Sequence, residues 1–232
     1  MASTRNSSPP AELAERVAAC LARHVRRGER LVAALSGGID SVALLHLLHD
    51  LSRHHGFRLS AIHVNHGLSP HADDWQAFCM GLCQSLGIPL EVSRVEVRDA
   101  AARQARYAAY ESVDAEWLVL AHQRDDQAET LLFNLLRGAG LAGAAAMPAV
   151  RNFPGGSELR ILRPLLESSR AEVERYAHEL HLAWIEDESN LDVRHARNFL
   201  RRTILPQLRE RFPGCNAALA RAASSSRASS TS

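Results

Sequence analysis

Apolar and polar positions along the chain follow two different periods. Four short runs have the apolar character of buried strands, at residues 30–35, 58–64, 90–97 and 116–121. Stretches with helical spacing of apolar residues lie between and after them, at residues 41–55, 71–87, 99–114 and 125–137. Strands and helices that alternate in this way form right-handed crossovers. The pattern predicts an α/β fold with a doubly wound, Rossmann-like parallel sheet covered by helices on both faces.

The remaining sequence divides the chain into four parts. Residues 1–10 predict a disordered lead-in, and residues 11–150, which begin with an amphipathic helix, form the α/β domain. After a connector rich in Gly, Ala and Pro, residues 151–215 predict a small, mostly helical C-terminal extension, with a helix break at Pro206. Residues 216–232 are a low-complexity tail rich in Ala and Ser, which we expect to be disordered.

A glycine-rich turn joins the first of these strands to the following helix. Its residues are Ser36, Gly37, Gly38, Ile39, Asp40 and Ser41. Two glycines let backbone N–H groups close around phosphate oxygens, and the helix N-terminus adds the positive end of its dipole. A carboxylate suits a Mg²⁺ ion or a ligand hydroxyl instead, so Asp40 is the candidate metal ligand. Such a hexad in this position rarely arises by chance, so we favour a phosphate-binding loop over an ordinary turn capped by Ser and Asp.

Two groups of polar residues stand at the ends of later strands. His63, Asn65 and His66 belong to the end of the second strand, beside the ligand crevice at the carboxyl edge of the sheet. His66 is a candidate nucleotide contact, but a structural role fits equally well, since two histidines make a poor metal site. Asp126 and Glu129 follow the fourth strand and share one helix face. Their spacing fits a functional carboxylate pair and a simple complement to the helix dipole about equally.

Arginines form two candidate clusters. Arg103 and Arg106 lie three residues apart in a predicted helix. Such a pair is commonly a solvated helix face, but near a nucleotide crevice it can stabilise phosphate or transition-state charge. Arg197 belongs to a second stripe with Arg194 and Arg201. The spacing of that stripe is consistent with surface ion pairs and with phosphate contacts.

Composition and charge restrict the chemistry. The 232 residues include 27 basic and 26 acidic side chains, a net charge of +1, so no overall field indicates a nucleic-acid or membrane partner. All of the basic residues are arginines, which excludes a lysine nucleophile in the chain and a Walker-A phosphate loop. The four cysteines form no C-x-x-C pair, which is typical of buried thiols in a reducing, cytoplasmic environment. We expect neither a secretory signal nor a membrane span.

The glycine-rich turn, in the segment LSGGIDS, resembles the pyrophosphate loop (PP-loop) of the N-type ATP pyrophosphatases. Four further segments resemble one family of that superfamily, the tRNA(Ile)-lysidine synthetases. They are AIHVNHGL, ARQARYAAY, AHQRDDQAETLLFNLLRGAG and WIEDESNLDVRHARNFLR. The similarity covers residues 31–212. It implies an adenine nucleotide alpha hydrolase-like fold.

The resemblance also implies a reaction. Enzymes of this family bind ATP with Mg²⁺ and the tRNA(Ile) whose anticodon is CAU, and adenylate its wobble cytidine with release of pyrophosphate. Free L-lysine then attacks C2 of that base, and the resulting lysidine changes the tRNA from methionine to isoleucine identity. The implied ATP contacts are residues 36–41 and His66, with Asp40 on the metal. The implied catalytic residues are Asp126 and Glu129, which receive the lysine amine, and Arg103, Arg106 and Arg197.

Two departures from the family pattern and two alternative functions belong to this interpretation. The stretch between Val97 and Arg103 is shorter than in the family, and long members carry further carboxyl-terminal tRNA-binding domains. We therefore expect weak tRNA affinity for this chain. The alternatives are another tRNA-modifying enzyme of the superfamily, such as a thiolation enzyme, and an inactive nucleotide-binding or tRNA-binding remnant. The sequence is compatible with a monomer or a homodimer.

Overall fold

The computed structural model describes residues 9–95, 102–139, 147–188 and 192–228. The helices are α1 Pro9–His24, α2 Ile39–His55, α3 Ala72–Leu86, α4 Ala102–Glu111, α5 Arg124–Leu136, α6 Arg170–Glu179, α7 Ala196–Phe199, α8 Leu205–Arg211 and α9 Cys215–Ala228. A π-helical turn, Leu200–Ile204, joins α7 to α8. The strands are β1 Arg30–Ala34, β2 Arg58–Asn65, β3 Leu90–Arg94, β4 Trp117–Val119, β5 Val150–Asn152 and β6 Arg160–Leu162. No helix among these residues is both long and apolar enough to cross a membrane.

In the described part of the chain the strands form one sheet, in the order β3-β2-β1-β4-β6-β5. Neighbouring strands run parallel except at the edge, where β5 is antiparallel to β6. The chain proceeds from β1 outward to β2 and β3, then returns to the other side of β1 at β4. The strand order therefore reverses between β1 and β4. The predicted doubly wound parallel sheet is confirmed, with the antiparallel edge strand β5 as an addition that the sequence did not predict.

The central strand β1 is buried on both faces. Leu31, Val32 and Ala33 are each at most 5% exposed, which explains why the strand is a continuous apolar run rather than an alternation. One apolar cluster joins the sheet to α1 and α2, and a second joins Val32 to Tyr110 of α4. The amphipathic helices between the strands thus bury their apolar faces on the sheet.

The chain folds into two compact units, and their boundaries differ from the linear division predicted at residue 150. The first, which we call the sheet unit, comprises the described residues of 1–121, 149–165 and 171–185. The second, which we call the helical unit, comprises those of 122–148, 166–170 and 186–232. The chain returns to the sheet because β6 pairs in parallel with β4, which places Ile161 beside Leu118. On one side β4 pairs with β1, and on the other it pairs with β6, which lies about 40 residues later in the chain.

The C-terminal segment is more helical than predicted. The prediction of disorder for residues 216–232 is wrong as far as Ala228, because α9 extends from Cys215 to that residue. Its Ala-rich sequence has high helix propensity, and both Leu219 and Ala223 pack against Leu131 of α5. Low complexity was therefore compatible with a packed helix. Residues 229–232 lie outside the described residues.

Prolines mark helix starts rather than helix breaks here. Pro206 lies in the first turn of α8, where its missing N–H is tolerated, so the predicted break at this residue is wrong. The irregularity comes earlier, in the π-helical turn Leu200–Ile204. At the other end of the chain, α1 begins at Pro9, inside the predicted lead-in of residues 1–10. Residues 1–8 lie outside the described residues.

Candidate active site

The loop predicted to bind phosphate, residues 36–41, connects β1 to α2 in the sheet unit. It leaves the central strand where the strand order reverses, which is where nucleotides bind in sheets of this type. The N-cap of α2 is Gly38, which has no side chain that could cap the helix. The first N–H groups of a helix have no acceptor within it. The N-terminus of α2 therefore offers them to an anion, together with the positive end of the helix dipole.

Two serine hydroxyls brace the loop. The hydroxyl of Ser41 donates to the carbonyl oxygen of Gly38 at 2.8 Å and lies 3.1 Å from Oγ of Ser36. The N–H of Gly38 donates to Oγ of Ser36 at 3.4 Å. Asp40 follows, half-buried in the first turn of α2. The loop thus combines backbone N–H groups and hydroxyls with one carboxylate.

Gly37 sets the shape of the loop. Its φ of +90° lies in the left-handed region, which side chains rarely adopt. A Cβ at this position would collide with Cδ1 of Ile185 and would lie 3.4 Å from Sγ of Cys79. The carbonyl oxygen of Gly37 also accepts the N–H of Ile185 at 2.9 Å. Ile185 therefore packs directly on the loop, a contact that the sequence did not predict.

The two histidines at the end of β2 make different contacts. His63 is 4% exposed, and its Nδ1 donates to the carbonyl oxygen of Leu35 at 2.8 Å. Burial lowers the pKa of His63, which favours the neutral ring, and its hydrogen bond gives it a structural role beside the loop. His66 is half-buried, and its Nε2 accepts the Nε–H of Arg106 at 3.3 Å. Burial and the Arg106 cation lower the pKa of His66. The structure thus brings together the predicted nucleotide contact and one predicted catalytic arginine.

Arg103 lies on α4, three residues before Arg106. The short stretch that precedes it falls on residues 96–101, which lie outside the described residues. The catalytic role of Arg103 stays a prediction.

The predicted carboxylate pair is assembled in the helical unit. Asp126 and Glu129 lie on α5, and Arg201 reaches both of them from the π-helical turn. Arg201 donates to Glu129 twice, from Nε to Oε1 and from Nη2 to Oε2, each at 2.7 Å. A longer contact of 3.3 Å joins Nη2 to Oδ1 of Asp126. The two carboxylates are therefore gathered around one guanidinium.

Both carboxylates are largely withdrawn from water. Glu129 is 3% exposed, and the side chain of Asp126 is 18% exposed. Burial raises the pKa of Asp126, against the opposing effects of the Gln123 N–H and the Arg201 and Arg170 cations. The Gln123 N–H donates to Oδ2 of Asp126 at 2.9 Å, within a capping box at the start of α5. Asp126 is thus a fixed carboxylate with increased proton affinity.

Arg197, on α7, is exposed and contacts an aromatic ring. Its guanidinium lies 5.4 Å from the ring centroid of Phe133, and Arg137 lies 5.2 Å from the same centroid. Two cations beside one ring form a surface to which an unstacked base could bind. Arg194, in the same predicted stripe, instead pairs with Asp192 at 2.7 Å.

Asp40 is the residue predicted to hold Mg²⁺. This ion binds proteins through one or two carboxylates and completes its shell with water and substrate phosphates. Asp40, one carboxylate in the first turn of a helix that is predicted to bind phosphate, fits that chemistry. Across the residues that the structure describes, no three His, Cys, Asp or Glu side chains form a group that could hold a metal ion.

The cysteines are free thiols, and two of them belong to the core. Burial raises the pKa of Cys79 to about 12 and that of Cys83 to about 11. Thiols with so little thiolate at neutral pH are inert. The prediction that these two residues act as small buried hydrophobes is confirmed.

The sequence placed Arg201 on a stripe with Arg197 but not against the carboxylates. A signal was available, because a carboxylate on the buried face of a helix needs a cationic partner. Glu129 lies one turn before Phe133 on that face. Which arginine supplies the charge depends on the π-helical turn, which no sequence pattern indicated.

Comparisons with known proteins agree with this geometry. A family model described as the PP-loop domain matches residues 10–208. The tRNA(Ile)-lysidine synthase of Nitrosomonas europaea is 48% identical over 200 residues, which are 83% of this chain and 44% of the relative. That of Pseudomonas aeruginosa is 54% identical over 198 residues, 82% of this chain and 44% of the relative. The chain therefore spans slightly less than half the length of these curated relatives.

A solved structure shares the fold. The U34-tRNA thiolase NcsA from Methanococcus maripaludis, solved with its 4Fe-4S cluster, superposes with a TM-score of 0.76 at 20% identity. The match covers 92% of this chain and 77% of the thiolase. The resemblance to the lysidine synthetases inferred from the motifs is confirmed by the curated relatives. With the loop, the strand order and the extent of the family match in agreement, the chain belongs to the PP-loop domain family.

Proposed function

We propose that this chain uses ATP to ligate L-lysine to C2 of the wobble cytidine, position 34, of the tRNA(Ile) with a CAU anticodon. The products are lysidine in the tRNA, AMP and pyrophosphate. The observation that carries the proposal is the identity of about half of the aligned residues with two curated tRNA(Ile)-lysidine synthases. The chemistry of two groups of residues supports the proposal. The loop of residues 36–41 suits an anion, and the carboxylates of Asp126 and Glu129 suit a cation.

The first half-reaction belongs to the sheet unit. The O2 atom of the cytidine attacks the α-phosphate of ATP, and pyrophosphate leaves. The N–H groups and hydroxyls of residues 36–41 would hold the leaving pyrophosphate. A Mg²⁺ ion held by Asp40 would supply charge neutralisation to the phosphates. Arg106 and Arg103 on α4 would balance further negative charge as the transition state forms.

The second half-reaction belongs to the helical unit. The ε-amine of lysine attacks C2 of the adenylated cytidine, a C–N bond forms, and the C2–O bond breaks as AMP leaves. An ammonium group has no lone pair, so the amine must lose a proton before or during the attack. The acidic pair, Asp126 and Glu129, would bind the cationic amine and accept that proton. The wobble base must also be unstacked, and Arg197 beside Phe133 would contact the tRNA.

The thiolation alternative has less support. At 20% identity the thiolase NcsA indicates a shared fold and nothing about the reaction. Cysteine pairs that hold a cluster or a persulfide would need accessible thiolates, whereas Cys79 and Cys83 are buried with raised pKa values. The lysidine reaction needs no thiol of the chain.

The decisive assay combines the chain with labelled L-lysine, ATP·Mg²⁺ and a CAU-anticodon tRNA(Ile) transcript. We expect ATP-dependent incorporation of label, with one AMP formed for each lysine. A transcript with uridine at position 34 and an incubation with norleucine, which lacks the ε-amine, are the matched controls. Absence of incorporation with retained ATP binding would contradict the proposal and favour the inactive remnant.

A further inference from the structure

The two carboxylates of the acidic pair are not equivalent. Glu129 is bound through both of its oxygens by Arg201, at 2.7 Å each. Asp126 shares only one oxygen with the same guanidinium, at 3.3 Å. A bidentate arginine–carboxylate pair is much stronger than a single long contact. Glu129 is therefore committed to Arg201, while Asp126 is only loosely engaged by it.

The backbone supports this division. Arg201 lies in a π-helical turn, and Leu200 and Leu205 beside it are buried. Turns of this kind inside helices are rare and frequently occur at functional sites. Oδ2 of Asp126 is fixed by the Gln123 N–H, so that Oδ1 is the oxygen shared with Arg201. Asp126 is thus oriented by its own helix and does not need Arg201 to hold it in place.

Charged groups on neighbouring elements surround Asp126. Asp125, Asp126 and Glu129 on α5 are three carboxylates, and the guanidinium groups of Arg201 and Arg170 both act on Asp126. Asp125 receives the backbone N–H of Arg170 and the neutral amide of Asn216 on α9. Arg197 of α7 lies over Phe133 instead.

We propose that Arg201 is a positioning residue that divides the acidic pair: by holding Glu129 through both oxygens, it makes Asp126 the carboxylate that receives the substrate amine and its proton. This inference rests on the proposed function and deepens it. In this role Arg201 acts through Glu129 rather than on lysine or the cytidine.

The first test compares Asp126→Asn with Glu129→Gln in lysine transfer at saturating lysine. We expect Asp126→Asn to slow transfer about 100-fold, the size of a lost general base. Glu129→Gln keeps the shape of its residue and should slow transfer less than about tenfold. Equal losses in the two variants would overturn the division, whatever happens to the Arg201 variants.

The second test replaces Arg201 by Met and by Lys. Arg201→Met leaves the carboxylate of Glu129 without its cation, so the KM for lysine should fall. The kcat for transfer should also fall, about tenfold, because Glu129 now competes with Asp126 for the amine. Without the adjacent cation the neutral form of Asp126 is favoured, so the acid limb of the transfer profile should move up by about one pH unit. Arg201→Lys keeps the charge but not the planar guanidinium, so it should restore part of the wild-type kinetic constants and part of the wild-type pH profile.

The matched control is Arg202→Met, an exposed arginine in the same π-helical turn, which should behave as wild type. Pyrophosphate release should change less than about twofold in all of the Arg201 variants. Wild-type kcat, KM and pH profile in Arg201→Met would overturn the proposal, and so would equal losses of pyrophosphate release and transfer. Thermal melting of each variant identifies a folding defect. If Arg201→Met does not fold, Arg201→Lys and the ranking of the carboxylate variants still decide.

A last readout separates this inference from the proposed function. If the wild-type chain transfers no lysine, the proposed function fails, and the role of Arg201 is judged by carbon-13 NMR titration of the Asp126 carboxyl group. The titration midpoint should be higher in Arg201→Met than in wild type and in Arg202→Met. An unchanged midpoint would overturn the assignment of Arg201.

Discussion

The loop of residues 36–41 in the sheet unit and the acidic pair in the helical unit present opposite charges to a ligand, and they do so with different chemical groups. The loop, residues 36–41, presents backbone N–H groups and hydroxyls to an anion, and its shape depends on the positive φ of Gly37. The acidic pair presents titratable side chains to a cation, and its shape depends on Arg201, which lies 72 residues from Glu129 in the sequence. A site made of backbone is recognisable from a local motif, whereas the partner of a buried side chain, here Arg201, is not.

The difference also divides the chemistry. In the proposed reaction the loop holds the departing pyrophosphate, and the acidic pair receives the amine. Each cluster has its own supports within its unit, such as Ile185 for the loop and Gln123 for Asp126. Substitutions in one cluster should therefore affect one half-reaction directly and leave binding at the other intact.

The largest expected effect comes from Asp40→Ala in the loop. Loss of the carboxylate predicted to hold Mg²⁺ should lower pyrophosphate release about 100-fold or more, because charge on the phosphates is no longer neutralised. Lysine affinity, measured by calorimetry, should stay at the wild-type value. Unchanged pyrophosphate release would remove Asp40 from the site.

Glu129→Ala should produce the reverse pattern. It leaves the Arg201 guanidinium without its bidentate partner, so transfer of labelled lysine should fall by more than about tenfold. Pyrophosphate release should fall less. Equal loss of both half-reactions would show that the two clusters do not act separately.

The loop geometry can be tested with two glycines of nearly equal φ. Gly37 has φ +90° and Gly28 has φ +89°. A Cβ added at Gly37 would collide with the side chain of Ile185, whereas a Cβ added at Gly28 would meet no atom within 4 Å. We expect Gly28→Ala to lower the free energy of unfolding by about 1 kcal/mol. Gly37→Ala should lower it by about 1 to 3 kcal/mol more, through overpacking. Urea unfolding measures both.

Pyrophosphate release gives the functional side of this comparison. Only Gly37→Ala should slow it, because Gly28 lies before β1 and outside the loop. If the two variants have the same stability and the same activity, the contact of Ile185 with the loop has no consequence.

The smallest effect concerns the pH dependence of stability. Burial lowers the pKa of His63, and also those of His46 and His66, below the usual value near 6.5. The unfolded chain therefore binds more protons than the folded one as the pH falls through 6.5, so stability should decrease in that direction. His63→Gln should make the unfolding free energy less dependent on pH between about 5 and 6.5. Exposed His54→Gln, as the control, should leave the slope unchanged.

Elements with a local cause were predictable from the sequence. The run Leu31–Ala33 gives a central buried strand, and the glycines after it give the loop, because both depend on residues that are adjacent in the chain. The predicted parallel sheet follows from the same alternation of strands and helices. The identities of Asp126 and Glu129 were also accessible, since one helix face carries both.

Features that depend on residues distant in the chain were not predictable from the sequence. The return of residues 160–162 to the sheet depends on pairing with β4, and the order of α9 depends on the packing of Leu219 and Ala223 against Leu131. The partner of Glu129 depends on a π-helical turn. In each case the outcome depends on contacts between residues that are distant in the chain, which the pattern of a single sequence does not show.

The most direct test of the central claim, two half-reactions served by two clusters, is a rapid-quench experiment without lysine. With the chain, ATP·Mg²⁺ and CAU-anticodon tRNA(Ile) alone, we predict one pyrophosphate for each bound tRNA and an adenylated cytidine that persists. AMP should then appear only when lysine is added, at the rate of lysine incorporation. Release of AMP before lysine is added, or no pyrophosphate until it is present, would contradict the account.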